Sequence, residues 1–131
     1  MPGSDLLLLA DGRLPAGGHA HSGGLEQAVE QGDVHDIASM EGFLLGLLRS
    51  SAETAIHVSA AACAARHTMH DAQLQALDLE ESARTPSASL RTASRAQGRQ
   101  LLRAAEAIWP APGPVELPPL PPGPHLALAQ G

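Results

Sequence analysis

The stretch TPSASLRTASRAQGRQLLRAAEAIWP, residues 85–110, decides the fold class. At about 100° per residue, apolar or small positions gather on one side of a helix and arginines on the other. The first side holds Leu90, Gln97, Leu101, Ala104 and Ile108, and the second holds Arg91, Arg95, Arg99 and Arg103. Thr85-Pro86 predicts the start of the helix, because proline lacks a donor that would be unpaired there. We therefore predict an amphipathic helix over residues 86–108, which Trp109 ends.

Two features of this helix bear on function. Gly98 in its middle costs about 1 kcal/mol relative to alanine, which indicates that something approaches its backbone closely. The arginine side has two interpretations. It is either the solvated face of an amphipathic helix or, through Arg95 and Arg99, a docking face for an acidic partner.

Helical patterns continue toward the amino terminus, and no segment alternates with a period of two, so we predict an all-α protein. Ser22 is the predicted cap of a helix that ends at Gly32, and Asp36 is the predicted cap of a strongly apolar one. Ser50 and Glu53 fit a capping box that starts the next helix. The predicted segments cover residues 6–10, 23–31, 37–48, 51–66 and 71–82.

The chain of 131 residues is long enough for one domain. We assign residues 1–109 to an incomplete helical bundle. Eight of the eleven prolines fall within residues 110–124, which predicts a stiff, extended connector without a core of its own. Residues 125–131 then read as the start of a helix whose remainder is missing.

Composition excludes several classes of protein. All eight basic residues are arginine, so neither a phosphate-binding GK[ST] loop nor a Schiff-base lysine is present. A lone Cys63 excludes an internal disulfide and a cysteine-rich zinc site. A net charge of −6 argues against binding to nucleic acid or anionic membrane. Apolar runs are too short to span a bilayer and no basic leader precedes them, so we expect a cytoplasmic protein.

The segment LPAGGHAHSGGLE, residues 14–26, poses the question of a metal, a phosphate or a protein ligand. The pairs His19/His21 and His67/His70 could each hold nickel or zinc, but no acid or cysteine completes either set at a familiar spacing. The alternative is ordinary surface histidines, and we predict no metal site and no cofactor. The bare backbone of a Gly/Pro loop instead lets a partner approach closely, so we interpret residues 11–26 as a protein-docking loop.

Several segments together resemble one family. The run ADGRLPAGGHAHSGGLEQAVEQG resembles the amino-terminal signature of the urease accessory protein UreF family. The matching positions are Asp11, Pro15, Gly17, Ser22, Gly24, Leu25 and Glu26. VHDIASMEGFLLGLL, ESARTPSASLRTASRAQGRQLLR and PHLALAQG are similar to later parts of that family, in the same order. UreF chains are longer, and their carboxyl-terminal helices have no counterpart here.

The resemblance implies a UreF-like helical bundle that is not an enzyme. It implies a scaffold that bridges UreD (also called UreH) and the GTPase UreG and so delivers nickel to apo-urease, without holding nickel stably. A homodimer within the complex is implied for the full-length family. Many relatives carry aromatic residues where this chain has His19 and His21, which argues against nickel ligands.

We expect partner contacts from the docking loop and from the arginine helix. The predicted partner-binding residues are Asp11, Pro15, Gly17, His19, Ser22, Gly24, Glu26, Arg95, Gly98 and Arg99. Two alternatives remain open: a small metal-binding carrier that uses the paired histidines, and an inactive truncated fragment.

Overall fold

A computed structural model describes residues 7, 11, 22–67, 71–110, 117–120 and 122–131. Every regular element within these ranges is helical, which confirms the all-α prediction. The elements are α1 (Leu25–Glu30), α2 (Ile37–Leu47), a π-helical turn (Leu48–Ala52), α3 (Glu53–His67), α4 (Asp71–Arg84), α5 (Ala88–Ile108) and α6 (Leu126–Gln130). None of the helices in the described part combines the length and the apolar character needed to cross a membrane. The predicted helix over residues 6–10 lies outside this part except for Leu7, which is helical.

Helices α2 and α3 form one continuous rod through the π turn. The backbone stays right-handed helical at both junctions, Leu48 and Glu53. The capping box predicted at Ser50 and Glu53 is therefore wrong. The Ser50 hydroxyl instead donates to the Gly46 carbonyl at 2.8 Å, one turn back in the same rod.

The π turn aligns the half-buried side of α2 with the buried side of α3. Along α2 the half-buried apolar residues follow helical spacing, at Met40, Phe43 and Leu47. The next half-buried position, Ala52, comes five residues after Leu47, where an unbroken α-helix would place it after three or four. A π turn closes over five residues, so its extra residue restores the alignment with the buried side of α3.

Local hydrogen bonds define the starts of α1 and α2. Asp36 is confirmed as the cap of α2: its Oδ1 accepts from the Ser39 N–H at 2.8 Å, while the Ser39 hydroxyl accepts from the Asp36 N–H at 3.0 Å. Helix α1 starts after Gly24, at φ +98°, so Ser22 does not occupy the cap position. The Ser22 hydroxyl still accepts from the Glu26 N–H at 3.4 Å. Gly32 follows α1 at φ +80°, as predicted.

The core lies between α3, α4 and α6. Its buried members are small or branched apolar residues: Val58, Ala62, Ala65, Leu74, Ala127 and Leu128. Leu117 and Leu120 of the proline-rich connector pack against them, and Pro118 and Pro124 are buried. The described part of the connector therefore lies on the core, and residues 126–130 help to build it.

Helix α5 starts two residues later than predicted. Its cap is Ser87, whose hydroxyl accepts from the Leu90 N–H at 3.4 Å. Thr85 and Pro86 precede the helix, and their carbonyls accept from Arg91 Nη1 at 2.6 and 2.8 Å. The predicted end at Trp109 is confirmed.

Candidate functional site

A buried polar cluster joins α4, α5 and the segment that leads into α6. We call it the His125 cluster, and it consists of Asp78, Ser82, Ser94, Arg95 and His125. His125 is fully buried and Asp78 is 5% exposed. Buried polar groups must satisfy their hydrogen bonds within the protein, so these contacts decide how the three elements meet.

Arg95 and Asp78 form the charged half of the cluster. Arg95 Nη1 donates to Asp78 Oδ1 at 3.0 Å, and Nη2 donates to Oδ2 at 2.7 Å. Arg95 Nη2 also donates to the Ser82 hydroxyl at 3.0 Å, and Nη1 donates to the Gly123 carbonyl. The two-point geometry suits a guanidinium and a carboxylate, and it ties the middle of α5 to α4.

The His125 imidazole lies between two serines. Its Nε2 is 2.9 Å from the Ser82 hydroxyl, and its Nδ1 is 3.1 Å from the Ser94 hydroxyl. The main chain of the same segment is held as well. The His125 N–H donates to Asp78 Oδ1 at 3.4 Å, and the Leu126 N–H donates to the Ser94 hydroxyl at 3.1 Å.

Gly98 lets this segment reach α5. A Cβ atom built on Gly98 would overlap the Pro124 carbonyl oxygen and lie 3.1 Å from the carbonyl carbon and oxygen of His125. Gly98 is buried, so the close backbone approach predicted from its place in the helix is confirmed. The approaching backbone belongs to the same chain.

Burial and charge perturb two groups near the cluster. Burial lowers the pKa of His125, and the nearby Arg95 and Arg91 charges lower it further, while Asp78 acts in the opposite direction. Burial raises the pKa of the neighbouring Glu81, with Arg84 opposing and Asp78 adding to the rise. Glu81 Oε2 is buried and has no hydrogen-bond partner among the residues that the structure describes. The surroundings therefore favour a neutral His125 and a neutral Glu81.

Serine, histidine and aspartate side chains together invite comparison with a nucleophilic triad. Here both imidazole nitrogens face serines, while the Asp78 carboxylate faces Arg95 and a main-chain N–H. His125 has no exposed surface that a substrate could reach. The arrangement holds helices together and does not favour catalysis.

The arginine side of α5 is only partly solvated. Arg95 is 12% exposed and paired, and Arg99 donates to the Pro122 carbonyl at 2.9 Å. With Arg91 bound to the residues before α5, the interpretation as a solvated face is wrong for these three arginines, because the chain's own segments accept their hydrogen bonds. Arg103 is exposed. Partner binding by Arg95, Gly98 and Arg99 stays a prediction.

The docking loop is described only at its ends. Asp11 is half-buried, and Ser22, Gly24 and Glu26 are exposed at the start of α1. Pro15, Gly17, His19 and His21 lie outside the described residues, as does His70 with the side chain of His67. Among the residues that are described, no group of three or more His, Cys, Asp or Glu side chains could hold a metal ion. Both histidine pairs remain untested.

Sequence reasoning missed the other four members of the His125 cluster. Asp78, Ser82, Ser94 and His125 carried no periodic or motif signal of their own. Two signals pointed toward them: Gly98 in mid-helix, and the short PHLALAQG segment whose His125 meets that glycine.

Comparison with known proteins agrees with the resemblance. A family model described as UreF matches residues 34–131, which include every member of the His125 cluster. The chain belongs to the UreF family.

UreF relatives share much of this sequence. Over 126 residues the chain is 45% identical to a urease accessory protein UreF from Mycolicibacterium vanbaalenii, 44% identical to one from Mycobacterium marinum and 43% identical to one from Mycobacterium tuberculosis. Each alignment covers 96% of this chain and 56% of the relative, so the chain spans just over half the length of the curated relatives it matches. No solved structure matches it significantly.

A second surface of this UreF-family chain lies on α2. The helix IASMEGFLLGL has no buried residue, although most of its side chains are apolar. Ile37 is 89% exposed and Leu44 46%, and Leu48, the first residue of the π turn, extends the surface and is 60% exposed. The exposed acids Glu26, Glu30, Asp33 and Glu41 lie on α1, on α2 and between them. A helix that is apolar on most sides normally lies buried, so this surface is typical of a protein contact.

Proposed function

We propose that this UreF-family chain is a non-catalytic scaffold of urease maturation. In this proposal it binds UreD and the GTPase UreG in the cytoplasm, as a homodimer within the complex, and so directs nickel to apo-urease. Nickel is the cargo of the complex and is not held as a resident metal. Membership of a family whose curated members are named urease accessory proteins supports the proposal.

The observation that carries the scaffold role is the exposed apolar surface of α2. Three exposed positions, Ile37, Leu44 and Leu48, carry large apolar side chains. Polar side chains at these positions would cost the isolated chain nothing. Their burial by a partner would contribute about 25 cal/mol per Å² of apolar area. The surrounding acids favour a partner with basic groups at the edge of the contact, because opposite charges steer association.

The exposed start of α1 supports the same role. Ser22, Gly23 and Gly24 are exposed, and within the described ranges no heavy atom beyond the chain neighbours lies within 4 Å of a Cβ built on Gly24. Main chain without Cβ atoms can be approached closely, as docking requires. This end of the docking loop lies beside α2, since a Cβ on Gly23 would be 3.8 Å from Leu47 Cδ2.

A pull-down tests the proposal. Purified UreD and UreG are captured with the wild-type chain and with the double variant Leu44→Gln/Leu48→Gln. The matched control is Leu79→Gln, an apolar residue of α4 that is 71% exposed. We expect the double variant to lose capture of at least one partner, while the control retains both. Equal capture by all three chains would contradict docking through α2.

The metal-carrier alternative has its own measurement. Equilibrium dialysis of the chain with nickel distinguishes a cargo of the complex from a metal bound by the chain. We expect no tight, stoichiometric nickel binding. One tight nickel per chain, lost in the His19→Ala/His21→Ala variant, would establish the carrier instead.

A further inference from the structure

We propose that the His125 cluster is a pH-sensitive latch. It holds the segment of residues 122–131 against α4 and α5 while the imidazole is neutral, and it releases that segment when the imidazole gains a proton. The proposal concerns the chain itself and does not depend on its role in urease maturation.

The segment is held by polar contacts that converge on His125. His125 and Leu126 donate main-chain N–H groups to Asp78 and Ser94, and the carbonyls of residues 122 and 123 accept from Arg99 and Arg95. Farther along, the Ser59 hydroxyl of α3 donates to the Ala127 carbonyl at 2.8 Å. The imidazole lies in the middle of this set, so a change in its protonation acts on the whole attachment.

The two serines match a neutral imidazole. Ser82 already accepts from Arg95, and Ser94 already accepts from the Leu126 N–H. A neutral ring has one N–H and one bare nitrogen, so one serine accepts from the ring and the other donates its hydroxyl hydrogen to it. An imidazolium donates at both nitrogens. The serine that donated must then turn its hydrogen away from the ring, inside a buried site.

The charges around the ring also oppose a second proton. Arg91 and Arg95 on α5 repel an imidazolium, and Asp78 on α4 attracts it. Asp78 is already bound at two points by Arg95, which offsets much of its charge. Ser82 and Ser94 carry no charge. The full burial of the ring adds a desolvation cost that no surrounding group removes.

These contacts predict the direction and slope of the response. A released His125 is solvated and titrates near its ordinary pKa of 6.5, whereas the docked ring has a lowered pKa. The docked form is therefore fully stable above about pH 6.5. Release becomes about tenfold more favourable for each pH unit below that, until the lowered pKa is reached. Release uncovers Ala127 and Leu128 and the part of the core against which they pack.

Hydrogen exchange of the whole chain tests the latch. Amide protection is measured at about pH 7.5 and about pH 5.5 and corrected for the intrinsic pH dependence of exchange. We expect the protection of the Leu126 and Ala129 amides to fall at the lower pH, by at most about tenfold. Protection that does not change between the two pH values overturns the proposal.

Two variants assign the response to His125. His125→Gln keeps a donor and an acceptor but cannot become charged, so its segment should show no pH-dependent loss. His57→Gln, at an exposed histidine of α3, should behave as the wild type does. If His125→Gln does not fold, an NMR titration of the wild-type ring decides instead. A His125 pKa below 6.5 supports the latch, and a value at or above 6.5 refutes it.

Discussion

Asp78 on α4 and Arg95 on α5 form a two-point ion pair, with N–O distances of 3.0 and 2.7 Å. Their side chains are 8% and 12% exposed. A charge this deeply buried depends on its partner, because water cannot replace the lost contact. Loss of either partner would leave the other charge buried and unpaired where α4 meets α5.

Removal of one member of this ion pair should destabilise the folded chain. We expect Asp78→Ala to lower the free energy of unfolding by about 3–5 kcal/mol, since Arg95 would stay buried without its carboxylate. Urea unfolding followed by circular dichroism measures the change. The control is Glu80→Gln, which breaks the exposed pair with Arg84 and should cost less than about 1 kcal/mol. Similar losses in both variants would argue against a special role for the buried pair.

Replacement of Gly98 by alanine, which adds the smallest side chain, should destabilise the fold. Alanine favours a helix by about 1 kcal/mol, but its Cβ would overlap the Pro124 carbonyl, so we expect Gly98→Ala to destabilise the chain by about 1–3 kcal/mol. Gly42→Ala is the matched control on α2, where no atom of another described segment lies within 4 Å of the added atom. That variant should gain stability. The two midpoints in urea should therefore move in opposite directions, and a stabilised Gly98→Ala would show that the close approach is absent.

Glu81 should reduce stability at neutral pH. Burial raises its folded-state pKa above the ordinary value, so the folded chain prefers the protonated acid. The penalty is then fully present above the folded pKa and disappears as the pH falls below the unfolded value. We expect Glu81→Gln to be more stable than the wild type at neutral pH and equal to it in strong acid. Thermal melts across this range check the sign, and a difference that persists in acid would point to a cause other than ionisation.

The π turn should be required for the alignment of α2. Deletion of Ser51 would convert it into ordinary helix and rotate α2 by about 100° relative to α3. Met40, Phe43 and Leu47 would then leave the side that faces the molecule. We expect little change in helix content but a lower melting temperature. Ser51→Ala, at an exposed position, should preserve both properties. A deletion variant as stable as Ser51→Ala would contradict the role of the turn.

One feature of the site was predictable from a single residue of the sequence. Gly98 was predicted to be approached closely, because a glycine inside a helix needs a reason of that kind, and the backbone of Pro124 and His125 approaches it. The identity of that backbone was not available, since the contact joins residues far apart along the chain. The same holds for Arg95, whose carboxylate lies 17 residues away. Helical spacing placed Arg95 opposite the apolar side but could not show that other segments cover it.

Local sequence signals are sufficient to predict the positions of the helices and several of the residues at which they end. Asp36 caps α2, Gly32 follows α1 and Trp109 ends α5, because these signals depend on hydrogen bonds within about four residues. Three further features depend on contacts between segments that are distant along the chain. The tertiary structure replaced the expected break at Ser50 with a π turn, it brought His125 to Ser94 and Ser82, and it left the apolar side chains of α2 exposed. Such outcomes depend on which surfaces meet, and local periodicity carries no information about distant surfaces.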